Sequence, residues 1–424
     1  MRTRAPALAA CALLIASPLA AAQGGRDVRI DISKAGGRIR IHCELLTAPS
    51  VGAAEPTPAT AAEVLANDLD HSAVFAVSRA WAGQEPGDAQ AVVSGQWMVS
   101  GRTIRLTGEV HDLPARRSIM VREYRGTIDN WRLLVHRFAD DVVLQFTGEP
   151  GVACSRLAFV ASEGRNKELY VMDFDGAGLQ ALTADRSIAL SPSWSYDGSL
   201  ILFTSYRGGG GPRIYVIHSG GGKAYLISGR PGLNTSATYS PDGREIACTL
   251  SQDGNSEIYR LDARGESPHR LTDNSAIDTS PAWSPTGREI AFTSDRDGTP
   301  QVYVMDREGG NVRRLTYDLS YTDSPAWSPK GDRIAFVNRS AGGFDIYVCL
   351  ADGRGLKAVV TGGSNENPRW SPDGRHLVFA SNRDGESALY VSDLDDGSPR
   401  RLTTGGLHAM SPAWSPFIPA ANSP

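Results

Sequence analysis

A small α/β unit followed by an all-β, six-bladed β-propeller is the architecture predicted by this sequence of 424 residues. Three observations carry the prediction. A repeat of 43 to 45 residues runs from about Arg156 to the carboxyl end, the period range of propellers and solenoids. Each repeat holds four short alternating strands separated by turn residues. The repeating stretch begins and ends on half-units that complete one another, which closes a ring by a composite blade.

Taken in order, the first element is an export leader. Arg2 and Arg4 precede an apolar stretch from Ala7 to Leu19, and Ala20, Ala21 and Ala22 suit a signal peptidase, so residues 1–22 read as a signal peptide and the mature chain starts near Gln23. The stretch falls short of the roughly 20 apolar residues that a bilayer span needs. An exported chain with no membrane span follows. Leu8-Ala9-Ala10-Cys11 spells a rival lipoprotein box, but it precedes most of the apolar core instead of following it.

Residues 23–150 lack the repeat and read as the α/β unit. Asp27 to Ile32 alternates Val28, Ile30 and Ile32 as an exposed or edge strand, and Arg38 to Leu46 is a second strand. Ala61 to Leu69 reads as a helix with Thr60 as its cap. Strands are predicted over Ala91–Gln96, Arg102–Val110 and Arg117–Tyr124, and a helix over Trp131–Phe146.

Residues 151–417 form the propeller, with 418–424 as a tail. Ser-Pro-x-Trp occurs at Ser191–Trp194, Ser280–Trp283, Ser324–Trp327 and Ser411–Trp414, and Tyr239 and Trp370 hold the same place in altered copies. A second ladder runs through Tyr170, Tyr215, Tyr259, Tyr303, Tyr347 and Tyr390. In one unit, strands are predicted over Pro281–Ser284, Glu289–Ser294, Gln301–Asp306 and Val312–Thr316, with turns at Pro285-Thr286-Gly287, Asp295–Gly298 and Gly309-Gly310. The first Tyr copy, Arg156–Thr183, lacks a preceding Ser-Pro-x-Trp strand, and the last Trp copy lacks the strands after it. Joined, they make the sixth blade.

Composition bounds the function. With 43 Lys plus Arg against 47 Asp plus Glu, the chain lacks the cationic excess that binding nucleic acid or anionic lipid requires. Cys43, Cys154, Cys248 and Cys349 remain after export and allow three pairings. Cys248 and Cys349 stand where other repeats carry Phe or Met and read as buried apolar residues; a Cys43–Cys154 bridge stays open. Asp-Gly pairs such as Asp197-Gly198, Asp242-Gly243 and Asp373-Gly374 read as hairpin turns, since neither calcium-loop nor sialidase-box neighbours accompany them. Gly176-Ala177-Gly178 and Gly353-Arg354-Gly355 lead into strands, where a dinucleotide fingerprint needs a helix. Nucleophile-elbow, Walker and zinc-helix motifs do not occur, and the eight histidines follow no metal-ligand spacing. The reading is a non-enzyme with no cofactor and no metal. Its alternative is a secreted propeller hydrolase or glycan-binding protein with a site in the central channel.

Asp27-Val28-Arg29-Ile30, the repeats from Arg156 onward and the terminal Ser411-Pro412-Ala413-Trp414-Ser415-Pro416 resemble the TolB family of the Tol-Pal system. The resemblance implies a monomeric periplasmic adaptor that links the outer-membrane lipoprotein Pal to the TolQ-TolR-TolA machinery, supporting envelope integrity and constriction at division. It implies a Pal-docking face made of the loops before each first strand: Leu233, Asn234, Thr235 and Ser236, then Asp278, Thr279 and Ser280, then Thr322 and Asp323, then Glu366 and Asn367. It implies a TolA-binding segment at Asp27, Val28, Arg29, Ile30, Asp31 and Ile32. Such a strand can add to a partner's sheet edge. One departure is Arg40-Ile41-His42-Cys43-Glu44-Leu45, where the family has an apolar strand ending Pro-Phe.

Overall fold

In the computed structural model, residues 37–48, 56–394 and 398–417 are described. The leader, the Asp27–Ile32 segment and the tail after 417 lie outside them. The α/β unit is a five-stranded sheet in the order β2-β1-β3-β4-β5. Its strands are β1 (Ile39–Cys43), β2 (Phe75–Arg79), β3 (Ala91–Ser100), β4 (Thr103–Asp112) and β5 (Arg117–Thr127). β1 runs parallel to both neighbours, with Ile41 opposite Val77 and Ala91. The departing segment Arg40–Leu45 is therefore built largely into the sheet, where Ile41 and Cys43 are buried.

Helices α1 (Pro58–Asp70) and α2 (Trp131–Thr147) pack together. α1 starts earlier than its apolar periodicity suggests, and its cap is Thr57, not Thr60: Thr57 Oγ1 accepts the Thr60 amide at 3.1 Å. Pro58 explains the shift, because a proline at the first helical position lacks only an N–H that would have no partner there. The predicted α2 is extended by one residue and stops at Gly148, whose φ of 77° ends the helix in the left-handed region. Phe138 of α2 lies directly on Gly108 of β4, where a β-carbon would stand 2.4 Å from the ring. β2 was not predicted, since its five residues carry a single buried apolar side chain, Phe75.

The propeller has six four-stranded sheets. Blade three contains Asp278–Trp283, Glu289–Ser294, Gln301–Asp306 and Arg313–Arg314. Its middle strands match the prediction; its innermost strand begins three residues earlier and its outermost is shorter. Blade one starts at Ala189, blade two at Asn234, blade four at Thr322 and blade five at Asn365. Blade six is composite, in the order His408–Trp414, Arg156–Glu163, Asn166–Asp173, Gln180–Ala181.

Each signature residue has a structural task. In every innermost strand the register slips at a bulge, and Ser191, Ser236, Ser280, Ser324, Asn367 and Ser411 occupy it at φ between 47° and 55°. A bulge leaves a backbone position unpaired, which suits the proline that follows five of these six residues. The aromatic ladder joins blades: Trp194 Nε1 donates to Ala413 O at 3.0 Å and Trp370 Nε1 to Ala326 O at 2.9 Å, each in the preceding blade. The Tyr ladder stacks on the second strand, as in Phe336–Tyr347 at 6.3 Å between centroids. In blade two Cys248 takes the phenylalanine place opposite Tyr259 and is fully buried. All four described cysteines are free. Asp197 closes its turn by accepting from Ser195 Oγ at 2.6 Å and the Ser199 amide at 3.0 Å, with Gly198 at φ 72°. The Asp-Gly pairs are thus hairpin turns. Among the described residues no helix is long and apolar enough to cross a membrane.

Candidate functional site

Antiparallel strands send alternate turns to opposite faces of the disc. The turns after the first and third strands of each blade lie on one face, and the α/β unit sits there over blades four to six. Glu149 pairs with Lys330 at 2.9 Å and Arg375 at 3.3 Å, Arg38 with Asp393 at 2.8 Å, and Arg132 with Asp175. Buried Val152 and Ala153 continue the α/β core into Leu157, Phe159 and Trp414 of blade six. The opposite face carries the loops before each first strand, and among the described residues these ion pairs of the α/β unit all reach the first face.

Between the faces runs a central cavity of about 450 Å³, walled by the six innermost strands and the Ser-Pro turns that follow them. Its lining includes the x positions of the repeat: Ser193, Thr238, Ala282, Ala326, Arg369 and Ala413. Arg369 is the single charged side chain in this described lining. Burial pulls its guanidinium below its usual pKa, with the field of Asp323 acting the other way. Its Nη1 donates to Pro368 O at 3.0 Å. A cation in a ring of hydroxyls and aromatics can accept a carboxylate or a backbone carbonyl from an entering chain.

The predicted face residues divide into two groups. Asn234, Asp278 and Thr322 are fully buried and occupied by the fold. Asn234 Oδ1 accepts from Ser228 Oγ at 2.6 Å, Asp278 accepts from Arg296 at 3.1 Å, and Thr322 Oγ1 accepts the Val302 amide at 3.0 Å. They anchor the loops instead of presenting a surface. Leu233 and Glu366 are exposed, while Thr235, Ser236, Thr279, Ser280, Asp323 and Asn367 are half-buried at the channel side. Ser236, Ser280 and Asn367 line the cavity itself. Thr235 Oγ1 and Asp323 Oδ1 each accept a hydroxyl hydrogen bond from the preceding blade, from Thr204 at 3.1 Å and Thr293 at 2.8 Å.

Sequence reasoning missed Arg369. The signal was available, since the other five copies carry Ser, Thr or Ala at its place. It also missed a cluster of Asp68, His136 and Asp175, the first two buried and the third half-buried, whose residues come from three separate elements.

The TolB β-propeller domain model matches residues 143–418. Among curated relatives, the Tol-Pal system protein TolB of Desulfosudis oleivorans is 34% identical over 40% of this chain and 38% of its own length. That of Cereibacter sphaeroides is 36% identical over 55% of this chain and 57% of its own. The chain thus spans less than two thirds of the length of these curated relatives. The crystal structure of TolB from Acinetobacter baumannii superposes with a TM-score of 0.79 at 25% identity, covering 90% of this chain and 97% of that one. With a family match over most of its length and the six-bladed ring to go with it, the chain belongs to the TolB β-propeller family.

Proposed function

We propose that the protein is a periplasmic, non-enzymatic adaptor of the Tol-Pal system. It binds the Pal lipoprotein through the propeller face that carries the loops before each first strand and TolA through Asp27–Ile32, and so supports outer-membrane integrity and constriction at division. The division of labour is a leader at 1–22, an α/β unit at 23–150, a propeller at 151–417 and a short tail. The observation that supports the reading is the separation of faces: the ion pairs of the α/β unit reach one, and among the described residues the loops before each first strand lie on the other. Leu233 and Glu366 stand out on that face, with Ser236, Ser280 and Asn367 leading inward. An apolar anchor beside polar, half-buried groups suits protein docking.

The alternative, a hydrolase or glycan site in the channel, is less well supported. Trp194, Trp283, Trp370 and Trp414 are only 7–8% exposed and offer a sugar little to stack against, which leaves aromatic surface in the lining at the half-buried Trp327 and Tyr239 and the exposed Tyr196.

The test is capture of purified Pal by the mature chain. Binding at micromolar concentration is expected, at least tenfold weaker for Leu233→Asp with Glu366→Lys. Deleting residues 23–32 should remove TolA binding and leave Pal capture intact. A folded mature chain that ignores Pal would overturn the reading.

A further inference from the structure

We infer that the central cavity is a binding site for one small monocarboxylate, held by the guanidinium of Arg369. Arg369 comes from the innermost strand of blade five, Asn365–Trp370, and stands half-buried in the cavity wall. The same place holds Ser193, Thr238, Ala282, Ala326 and Ala413 in the other blades, so a long cation replaces a short side chain in a single blade. Such a site stands apart from Pal docking, since it belongs to the channel wall and not to the loops before the first strands.

The cation lacks a counter-ion. Its Nη1 donates to the backbone oxygen of Pro368 at 3.0 Å, and among the described residues no carboxylate stands within ion-pair distance of it. A guanidinium has five N–H donors, so most of them remain unused. The acid whose field reaches it, Asp323, is engaged elsewhere: Oδ1 accepts from Thr293 Oγ1 at 2.8 Å and from the Ser324 amide at 2.5 Å, and the Tyr321 hydroxyl donates to Oδ2 at 3.4 Å. Charges withdrawn from water are normally paired. Ser236, Ser280 and Ser324 line the same cavity, and their hydroxyls make no hydrogen bond among the described residues.

Charge and shape select the ligand. A planar guanidinium matches a carboxylate through two parallel N–H···O bonds. One positive charge in the lining balances one carboxylate, whereas a phosphate monoester carries about −1.5 to −2 near pH 7 and would be left under-compensated. The cavity of about 450 Å³ is of small-ligand size, and the half-buried Tyr239 and Trp327 in its wall give an apolar body a surface to rest on. A free acid brings carboxylate and body together, whereas an internal acidic side chain of a polypeptide brings the carboxylate alone. The class is therefore a free monocarboxylic acid with a compact aromatic or apolar body.

The experiment titrates the folded mature chain at neutral pH and low salt with benzoate, benzamide, phenyl phosphate and a peptide amide carrying one internal glutamate, by calorimetry. Saturable binding of benzoate is expected, at least tenfold tighter than of the other three, with a rise in thermal midpoint. Arg369→Ala restores the residue that Ala282, Ala326 and Ala413 supply in other blades, so it should fold, keep its thermal midpoint and bind benzoate at least tenfold more weakly. Arg369→Lys keeps the charge but not the fork and should fall between the two. No saturable binding of benzoate by the folded wild type, or equal binding by Arg369→Ala, would overturn the site. Phenyl phosphate as tight as benzoate would overturn the choice of a carboxylate, and the peptide as tight as benzoate would overturn a free acid as the occupant.

Discussion

Blade three and blade six are both four-stranded, yet only in blade three does a covalent turn join the first strand to the second. In blade three the Ser284 amide donates to Glu289 O at 2.9 Å and the Glu289 amide to Ser284 Oγ at 3.1 Å, across five residues. In blade six the Ser415 amide donates to Arg156 O at 2.9 Å and the Arg156 amide to Ser415 Oγ at 2.9 Å, across 259 residues. The hydrogen-bond pair is the same and the turn is missing. Closure entropy grows by about 0.6 kcal/mol per doubling of the loop, so the composite pairing carries roughly 3 kcal/mol more ordering cost than the continuous one. Trp414 helps to offset it by donating Nε1 to Ser155 Oγ at 2.7 Å, a bond outside its own strand. The ring is therefore expected to be weakest, and most dependent on side chains, where its ends meet.

The comparison can be broken most directly at Trp414. Trp414→Ala should cost about 3–5 kcal/mol, through lost burial and the lost Ser155 bond, and lower the thermal midpoint more than any single change in blade three. A loss under about 1 kcal/mol would show that the composite blade does not rely on its tryptophan.

Acid should weaken the join of the α/β unit to blades five and six, where His71 stands near Arg400 and Asp175. Burial, and then the charge of Arg400, lowers the His71 pKa to about 4 from a usual value near 6.5. The folded state thus favours the neutral ring. The stability this gives is present above about pH 6.5 and is lost as pH falls towards 4. At about 1.4 kcal/mol per pKa unit the loss approaches roughly 3 kcal/mol. The wild type should lose denaturant stability relative to His71→Gln as pH drops from 7 to 4; parallel curves would exclude the effect.

A matched pair sharpens the contrast between the turns. Ser415→Ala should destabilise by about 1–2 kcal/mol. Ser284→Ala should cost less, because the covalent turn still holds Glu289 in register. Equal values by chemical denaturation would mean that ring closure does not raise the weight of this bond.

The smallest effect concerns the indole donors. Trp194 Nε1 reaches Ala413 O across the blade six to blade one boundary, whereas Trp283 Nε1 has no hydrogen-bond partner. Trp194→Phe should exceed Trp283→Phe by about 1 kcal/mol. The reverse order would remove the indole from the account of blade joining.

The repeat was legible in the sequence because each blade solves one packing problem six times. Ser-Pro-x-Trp, the Tyr ladder and the Asp-Gly turns record a bulge, a ring stack and a hairpin, and all three are local. Cys248 could be placed as a buried residue for the same reason: its neighbours in register showed what belongs there. The α/β unit offered no such copies. Its β2 strand pairs in parallel with β1 from a distance of 36 residues, and nothing within Phe75–Arg79 itself announces a partner. The cap of α1 went unread because Pro58 begins the helix ahead of the apolar face. The proposed docking face was legible only as a set of loops. Burial then divided it, since Asn234, Asp278 and Thr322 are the first residues of their strands and turn inward.

The order of residues alone determined the number of blades, their turns and the need for a shared sixth sheet, because these follow from periods of two within strands and about 44 between them. Tertiary structure decided which face of the disc the α/β unit contacts, that Arg369 lines the channel, and that Asp68, His136 and Asp175 meet. Those depend on where the α/β unit lands on the ring and on which positions converge at its axis. Contacts between residues tens or hundreds of positions apart leave no periodic trace in the chain.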